Sequence, residues 1–533
     1  MASYNLLTEP WIPVRGKNGQ VFQKGILDTL KQAHELVEVY DPAPPVQLGI
    51  YRLLIAFLMD AYQLKELESL GDVIEKGKFD LDIIERYAKE WFDRFDLFDV
   101  KHPFLQVPLN DEKKAMEPIS RLMQHIPAGS NVSHFHHGNW EDNAYSFEQC
   151  ARGLVTAAPF MIAGGRGKTP SINGGVPPWY VLVKGTNLFE TLSYNICIIP
   201  LLVIADEDHP VAWRENGLNM EDMHNKFSII EALTWRPRSI HLVPEECGIC
   251  TYTGKQSNGL VRRMYFASGL NVSLSGSWSD PYSPYIITKE GVRPIWPQKN
   301  KELWRDIGPL MLLQQRDYFS SDKKISFQRP AIIQQFKQLI EEGIIKKSQP
   351  LIIEVYGIRT NENPLHPKLM EWYFERLVLP ETLLSKKNVG KYVQEAMDYS
   401  DNVAYAIRAA LKKAYPDIKA NGKALDNLIL RSQSMYWRHL KPLFREQVLQ
   451  RLSEIDENNP DAPAIILQDW KKTLEKEGYR AFNESIGPLD ADGNMLRRQV
   501  EATEYFWMIA RSQLYPEAAA ERKRKKNKEK NNV

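Results

Sequence analysis

Near residue 371 the pattern of apolar residues changes, and that change limits what this chain can fold into. Downstream, the segments 370–385, 391–415, 424–455, 462–478 and 495–515 carry apolar residues at three- and four-residue spacing, the period of helices with one buried face. Proline and glycine retreat to the joints, at Pro416, Gly422, Pro460 and Gly487. Helices joined by such breakers bury their stripes against one another, so 371–515 reads as a four-helix bundle. Upstream, strand-like runs such as "WYVLVKG" (179–185), "LNVSLSGSW" (270–278) and "LIIEVYGI" (351–358) alternate with helical ones, "VQLGIYRLLIAFLMDAYQL" (46–64) and "ISFQRPAIIQQFKQLIEEGI" (325–344). The expected fold class is α+β: a mixed α/β domain over 1–370, the bundle, and a basic tail over 516–533 with too few apolar residues to order itself.

Charge is distributed as unevenly as structure. The chain carries 68 Lys and Arg against 67 Asp and Glu, a net +1. The last 13 residues hold seven basic and two acidic residues, net +5, and Arg408 to Arg451 holds ten basic and three acidic, net +7. Such a block in a near-neutral chain is a candidate phosphate-facing surface, with a solvated helix face as the alternative. Within it Arg431 and Arg438 share one helical face, opposite Leu428, Ile429 and Met435. Arg445 continues the spacing, but Pro442 is expected to break or kink the helix first.

No apolar run reaches the roughly 18 residues that span a bilayer, and "MASYNLLTEPWIPV" lacks the basic and apolar segments of a secretory signal. Four cysteines in 533 residues argue for a cytoplasmic protein without a disulfide scaffold.

The stretch "PFMIAGGRGKTPSINGGVP" (159–177) packs five glycines, Arg166 and Lys168 between apolar flanks. Gly167, Lys168 and Thr169 imitate the end of a phosphate-binding loop, but Ile162 stands where that motif needs its first glycine. Glycines let a backbone approach another surface closely, so this loop either touches a nucleic acid or nucleotide, or is a plain surface loop. "CGIC", Cys247 to Cys250, is half of a zinc site without a second pair, Cys150 and Cys197 standing alone. "HFHHGNW" (134–140) gathers imidazole and aromatic rings suited to stacking on unpaired bases. No catalytic signature of serine hydrolases, zinc proteases or zinc deaminases occurs, which favours a binding protein over an enzyme. The alternative is a nucleotide-dependent enzyme using "GGRGKT".

Five stretches occur together and in order: "NLLTEPWIPV" (5–14), "HPFLQV" (102–107), "AGGRGKTPSINGG" (163–175), "GSWSDPYSP" (276–284) and "ARSQLY" (510–515). In this the chain resembles the CasA family, the large subunits of Cascade, the RNA-guided surveillance complex of type I-E CRISPR systems. The resemblance spans residues 5 to about 515. It implies a mixed α/β domain followed by a four-helix bundle, and no catalytic activity or required cofactor. It implies recognition of a protospacer-adjacent motif in duplex DNA, help in opening that duplex, and recruitment of the helicase–nuclease. The implied partners are CRISPR RNA, target double-stranded DNA, the other Cascade subunits and the effector, with no membrane.

Carried onto this sequence, the motif-reading loop falls on Gly164, Gly165 and Gly167, with Arg166 and Lys168 available to phosphates. A narrow minor groove favours such backbone contacts. The family's wedge hairpin resembles "GIRTNENP" (357–364), placing Thr360, Asn361, Glu362 and Asn363 at its tip, with a carboxylate where the pattern has a glutamine. The guide-RNA anchor resembles the loop of Phe135, His136 and His137. A DNA-contacting lysine of the family is missing: Gly269 stands at its place beside Ser268, leaving Arg262 or Arg263 as substitutes. Arg431 and Arg438 are the bundle's candidates for the DNA backbone. The cysteine cluster is thinner than the family's, with Cys247 and Cys250 alone, and zinc stays open.

Overall fold

In the computed structural model of the chain, the apolar run 46–64 folds as helix α1 (Pro44–Tyr62), buried on nearly every side. Its two prolines occupy the first turn, where a missing N–H leaves nothing unsatisfied, and Gln63 ends it in the left-handed region at φ 49°. Helix α2 (Phe147–Phe160) packs across it. Gly49 is required at the crossing, because a Cβ there would stand 2.8 Å from the Val155 carbonyl oxygen.

The structure describes all residues except 1, 110–115, 124, 127–141, 163–171, 173–175, 199–208, 216–222, 225–226, 273–277, 289–290, 299–300, 307–318, 321–322, 325, 347–349, 361–368, 381–382, 384–387, 416–422, 457–458, 487–492, 519 and 521–533. The chain divides into two compact units, one of residues 1–299 and 314–378, the other of 300–313 and 379–533.

The first unit is mixed. Strands β1 (Ile12–Gly16), β2 (Val21–Lys24) and β3 (Leu36–Val39) form an antiparallel sheet with β1 central. A second sheet sets β4 (Met116–Pro118), β5 (Tyr145–Ser146) and β7 (Arg238–Glu245) against the long strand β8 (Leu260–Ser268). In a third, β6 (Tyr180–Lys184) pairs antiparallel with β9 (Leu351–Thr360), which also pairs with β10 (Leu369–Leu379).

Three of the stretches that carry the family resemblance, 5–14, 102–107 and 276–284, serve as framework through their described residues. In 276–284, Asp280 accepts from Arg52 of α1 at 2.9 Å, with both side chains buried. In 102–107, Gln106 donates to the Leu97 carbonyl at 2.8 Å, and its amide oxygen accepts from the Leu242 N–H at 2.8 Å. In 5–14, the Trp11 indole donates to the Leu6 carbonyl.

The second unit is built from four long helices, α4 (Val389–Ala414), α5 (Lys423–Phe444), α6 (Ala462–Ile486) and α7 (Gly493–Leu514); α3 (Ala331–Glu341) belongs to the first unit. Trp470 of α6 donates to the Ala396 carbonyl of α4 at 3.0 Å. Phe482 and Phe506 stack at 5.4 Å. The expected α+β fold with a helical bundle is what the structure has.

Three local expectations are corrected. Residues 370–385 do not begin with a helix: Leu369–Leu379 is a strand. Its apolar residues satisfy either period, and pairing with β9 decides. The helix expected over 325–344 starts only at Ala331, because Pro330 serves as its N-cap. Ser326–Gln328 instead pairs as a strand with Tyr285–Ile287. Pro442 does not break α5: the helix runs through it to Phe444 and widens into a π-turn, Arg445–Gln450, directly afterwards. Leu440 and Phe444, buried on either side of the proline, hold the segment in place. At the C-terminus, residues 516–518 are helical and 521–533 lie outside the described residues.

Candidate nucleic-acid interface

Gly164, Gly165, Arg166, Gly167 and Lys168 lie outside the described residues, but both flanks of their loop are described. On one side the Ile162 carbonyl accepts from Arg238 Nη2 at 2.8 Å. Arg238 is buried, which pushes its pKa down to about 10, and its guanidinium stands 5.9 Å from the Phe266 ring centroid. On the other side Ile172 enters an apolar cluster with Phe227, Ala232, Trp235 and Leu270, against which Trp278 packs. The loop therefore springs from a rigid frame at one end of β7 and β8.

Gly269 belongs to that frame. A Cβ on it would stand 2.2 Å from the Arg236 carbonyl oxygen and 2.3 Å from the Arg238 nitrogen, and its neighbour's N–H donates to the same Arg236 carbonyl at 2.9 Å. The close approach of two backbones excludes any side chain, which is the physical reason that a lysine cannot occupy this position. The cations next to it are Arg236, paired with Glu215, and Arg238. Charge counting missed both. The signal was the pair of arginines around a proline in "RPR" (236–238).

Arg262 and Arg263 are exposed on β8, seven and six residues from Gly269, or roughly 20 Å along a strand. They do not share its surroundings. Arg262 pairs with Glu245 at 3.1 Å and donates to the Asp142 carbonyl at 3.3 Å.

Phe135, His136 and His137 also lie outside the described residues. Their segment is framed by the turn that carries the cysteines. Before it, the His125 Nε2 stands 3.1 Å from the Tyr252 hydroxyl, and burial pushes the His125 pKa down to about 4. After it, Ala144 and Thr251 exchange hydrogen bonds, the Thr251 N–H donating to the Ala144 carbonyl at 2.8 Å. Cys250 is buried beside Ala144 and Leu260. Its sulfur accepts from the Ser146 N–H at 3.4 Å. Burial would raise its pKa, but hydrogen bonds from Thr253 and Ser146 outweigh burial and lower it. Cys247 is exposed. Among the described residues no three His, Cys, Asp or Glu side chains gather as a metal site.

At the wedge, Thr360 is the last residue of β9, and Asn361, Glu362 and Asn363 lie outside the described residues. The base of this hairpin is locked electrostatically. Glu38 of β3 meets Arg15 at 2.6 Å, Lys184 at 2.9 Å and Arg376 at 2.9 Å, and Arg376 also meets Glu354 at 2.5 Å. Burial would raise the Glu38 pKa, but Lys184, Arg376 and Arg15 outweigh it and hold the carboxyl below the usual range. A further ion pair joins Arg359 to Glu371. Along β10, Met370, Trp372, Phe374 and Val378 are between 39% and 47% exposed, an apolar row on one face of an edge strand, where partners commonly dock.

In the bundle, Arg431 and Arg438 both face solvent, while Ile429 is buried and Leu428 and Met435 are half-buried. Lys441 and Arg445 are exposed as well, so the basic row continues past Pro442. Among the described residues no helix is long and apolar enough to cross a membrane.

A mixed α/β unit with framed loops and a helical bundle with an exposed basic row define the class: an α+β protein of two compact units. The family model for CRISPR-associated protein Cse1 matches residues 5–481, and the chain belongs to that family. Among curated proteins, the CRISPR-associated protein CasA/Cse1 of Thermus thermophilus is 29% identical over 325 residues, 58% of this chain. That match spans only 61% of the relative's length. Among solved structures, Thermus thermophilus CasA (Cse1) superposes with a TM-score of 0.73 at 21% identity, covering 96% of this chain and 99% of that one. A chain of a CRISPR RNA-guided surveillance complex gives a TM-score of 0.74 at 17% identity, covering 95% and 100%.

Proposed function

We propose that this protein is the large subunit of an RNA-guided antiviral surveillance complex of the Cascade kind, acting in the cytoplasm. It reads the protospacer-adjacent motif in duplex DNA with the backbone of Gly164, Gly165 and Gly167, while Arg166 and Lys168 meet flanking phosphates. The hairpin tip at Thr360, Asn361, Glu362 and Asn363 promotes strand opening beside the motif. Phe135, His136 and His137 grip the guide RNA, and Arg431 and Arg438 hold DNA backbone, with Arg262 and Arg263 as outlying contacts. The protein does no chemistry itself and recruits the helicase–nuclease that does. No metal enters this reading; a structural zinc on Cys247 and Cys250 would appear as about one equivalent lost in Cys250→Ser.

The observation that carries the proposal is the family match over residues 5–481. The frame around Ile162 and Gly269 supports it, since a backbone reader must be held rigidly to gain from its contacts. The test uses the chain assembled with guide-RNA-loaded partner subunits and a panel of duplexes that share the target and differ in the flanking base pairs. Binding should depend on the flank and lose that dependence in Gly164→Asp or Gly165→Asp. Binding blind to the flank in the parent complex would overturn the motif-reading role, and nucleotide hydrolysis lost in Lys168→Ala would replace it with the enzyme alternative.

A further inference from the structure

A cavity of about 210 Å³ opens between α4 and α5, with Arg305, Asp401, Tyr405, Arg408, Gln433 and Trp437 among its walls. Its floor is fixed. The Arg305 guanidinium lies 3.7 Å from the Trp437 ring centroid and bonds to Asp401 at 2.8 Å. The preceding Trp304 packs against Trp437 and Phe444 at 5.8 and 5.3 Å. Gln433 is fixed too, since its Nε2 donates to the Ala404 carbonyl at 3.0 Å, which leaves its amide oxygen as an oriented acceptor in the wall.

The mouth differs from the floor. Tyr405 is 57% exposed, and Arg408, one turn further along the same face, is exposed beside it. Facing them across the groove, Ser434 lines the cavity between the exposed Arg431 and Arg438. A merely solvated helix face needs neither a cavity nor a bare aromatic ring on its rim. A ring to stack on, a fixed acceptor for a base edge, a guanidinium group in the wall and two more exposed on the flanking turns are together what an unpaired nucleotide requires.

We propose that this groove is a nucleotide pocket, in which one base of single-stranded DNA stacks on Tyr405 and turns its edge toward Gln433, while Arg408 and Arg431 take the adjacent phosphates. It deepens the role proposed above, giving the bundle a defined point of purchase on an opened strand in place of a diffuse charged face.

The experiment measures anisotropy of a labelled 15-nucleotide oligo(dT) bound to the full chain over a salt series. Tyr405→Ala should weaken binding roughly ten-fold with an unchanged salt slope, because stacking is uncharged, and Tyr405→Phe should restore it. Arg408→Ala should weaken binding and flatten the slope by about 0.7, the release of one phosphate contact on a single strand. Tyr405 is exposed, so its variants should melt like the parent. Absence of binding by the parent, or Tyr405→Ala binding like the parent, overturns the pocket. So does release of a partner subunit from the assembled complex by Tyr405→Ala, which would make the groove a protein-docking site. The flank-dependence assay on the same variants separates the two readings: a lost pocket with intact flank dependence leaves the broader role standing, and flank-blind binding in the parent removes it.

Discussion

Two sets of arginines, one in each unit, differ sharply in burial. In the first, Arg52, Arg152, Arg236 and Arg238 are all at most 6% exposed, each committed to a named acceptor: Asp280, Asp41, Glu215 and the Ile162 carbonyl. In the bundle, Arg408, Arg431, Arg438 and Arg445 stand in water. A buried guanidinium has given up its hydration for fixed partners and holds geometry; an exposed one keeps its hydration and its charge. The four buried arginines of the first unit thus hold its structure in place, and the four of the bundle keep their hydration, while Arg262 and Arg263 in the first unit and Arg305 in the second stand on the other side of this division.

This contrast predicts a graded series in thermal stability. Arg52→Ala strands Asp280 without its buried cation and should cost about 3–5 kcal/mol, seen as a large fall in melting temperature; a loss within experimental scatter would mean that the pair is solvated. Glu38→Gln removes the acceptor shared by Arg15, Lys184 and Arg376 and should cost about 2 kcal/mol at neutral pH. Because the folded Glu38 pKa is depressed, its contribution is present above the unfolded value and disappears as pH falls through the folded one. The gap in melting temperature between parent and Glu38→Gln should therefore close in acid, and a gap that widens there would contradict the assignment.

Arg238→Ala should cost less, about 1 kcal/mol, since burial already depresses its pKa to about 10 and its charge is held at some cost. Its larger consequence should be on the loop that begins beyond Ile162, read as weakened flank discrimination by the assembled complex. Arg431→Glu with Arg438→Glu should leave the melting temperature nearly unchanged, within about 0.5 kcal/mol, yet flatten the salt dependence of DNA binding. If that pair destabilised the fold as much as Arg52→Ala, the division between buried and exposed arginines would fail.

Legibility followed the same division. Arg431 and Arg438 could be placed from periodicity, because a helix face is a local property and Ile429 marks its buried side. Arg238 could not, because nothing within a few residues shows that its guanidinium reaches back to Ile162, 76 residues earlier in the chain. Gly269 was noticed as a departure, but its reason, a backbone pressed on Arg236, is a tertiary contact. The cysteine turn and the anchor segment were read as separate features, although Thr251 and Ala144 join them.

The sequence by itself determined the long helices of the bundle, the strands at 180–184 and 351–360, and the basic row of α5, all consequences of side-chain period and local charge. Only the tertiary structure decided that 369–379 is a strand, that the helix runs through Pro442, and that arginines alike in sequence divide into buried braces and exposed side chains. Local pattern is written by neighbours three or four residues away, whereas burial and pairing depend on partners tens or hundreds of residues distant, such as Asp280 for Arg52 and Glu38 for Arg376.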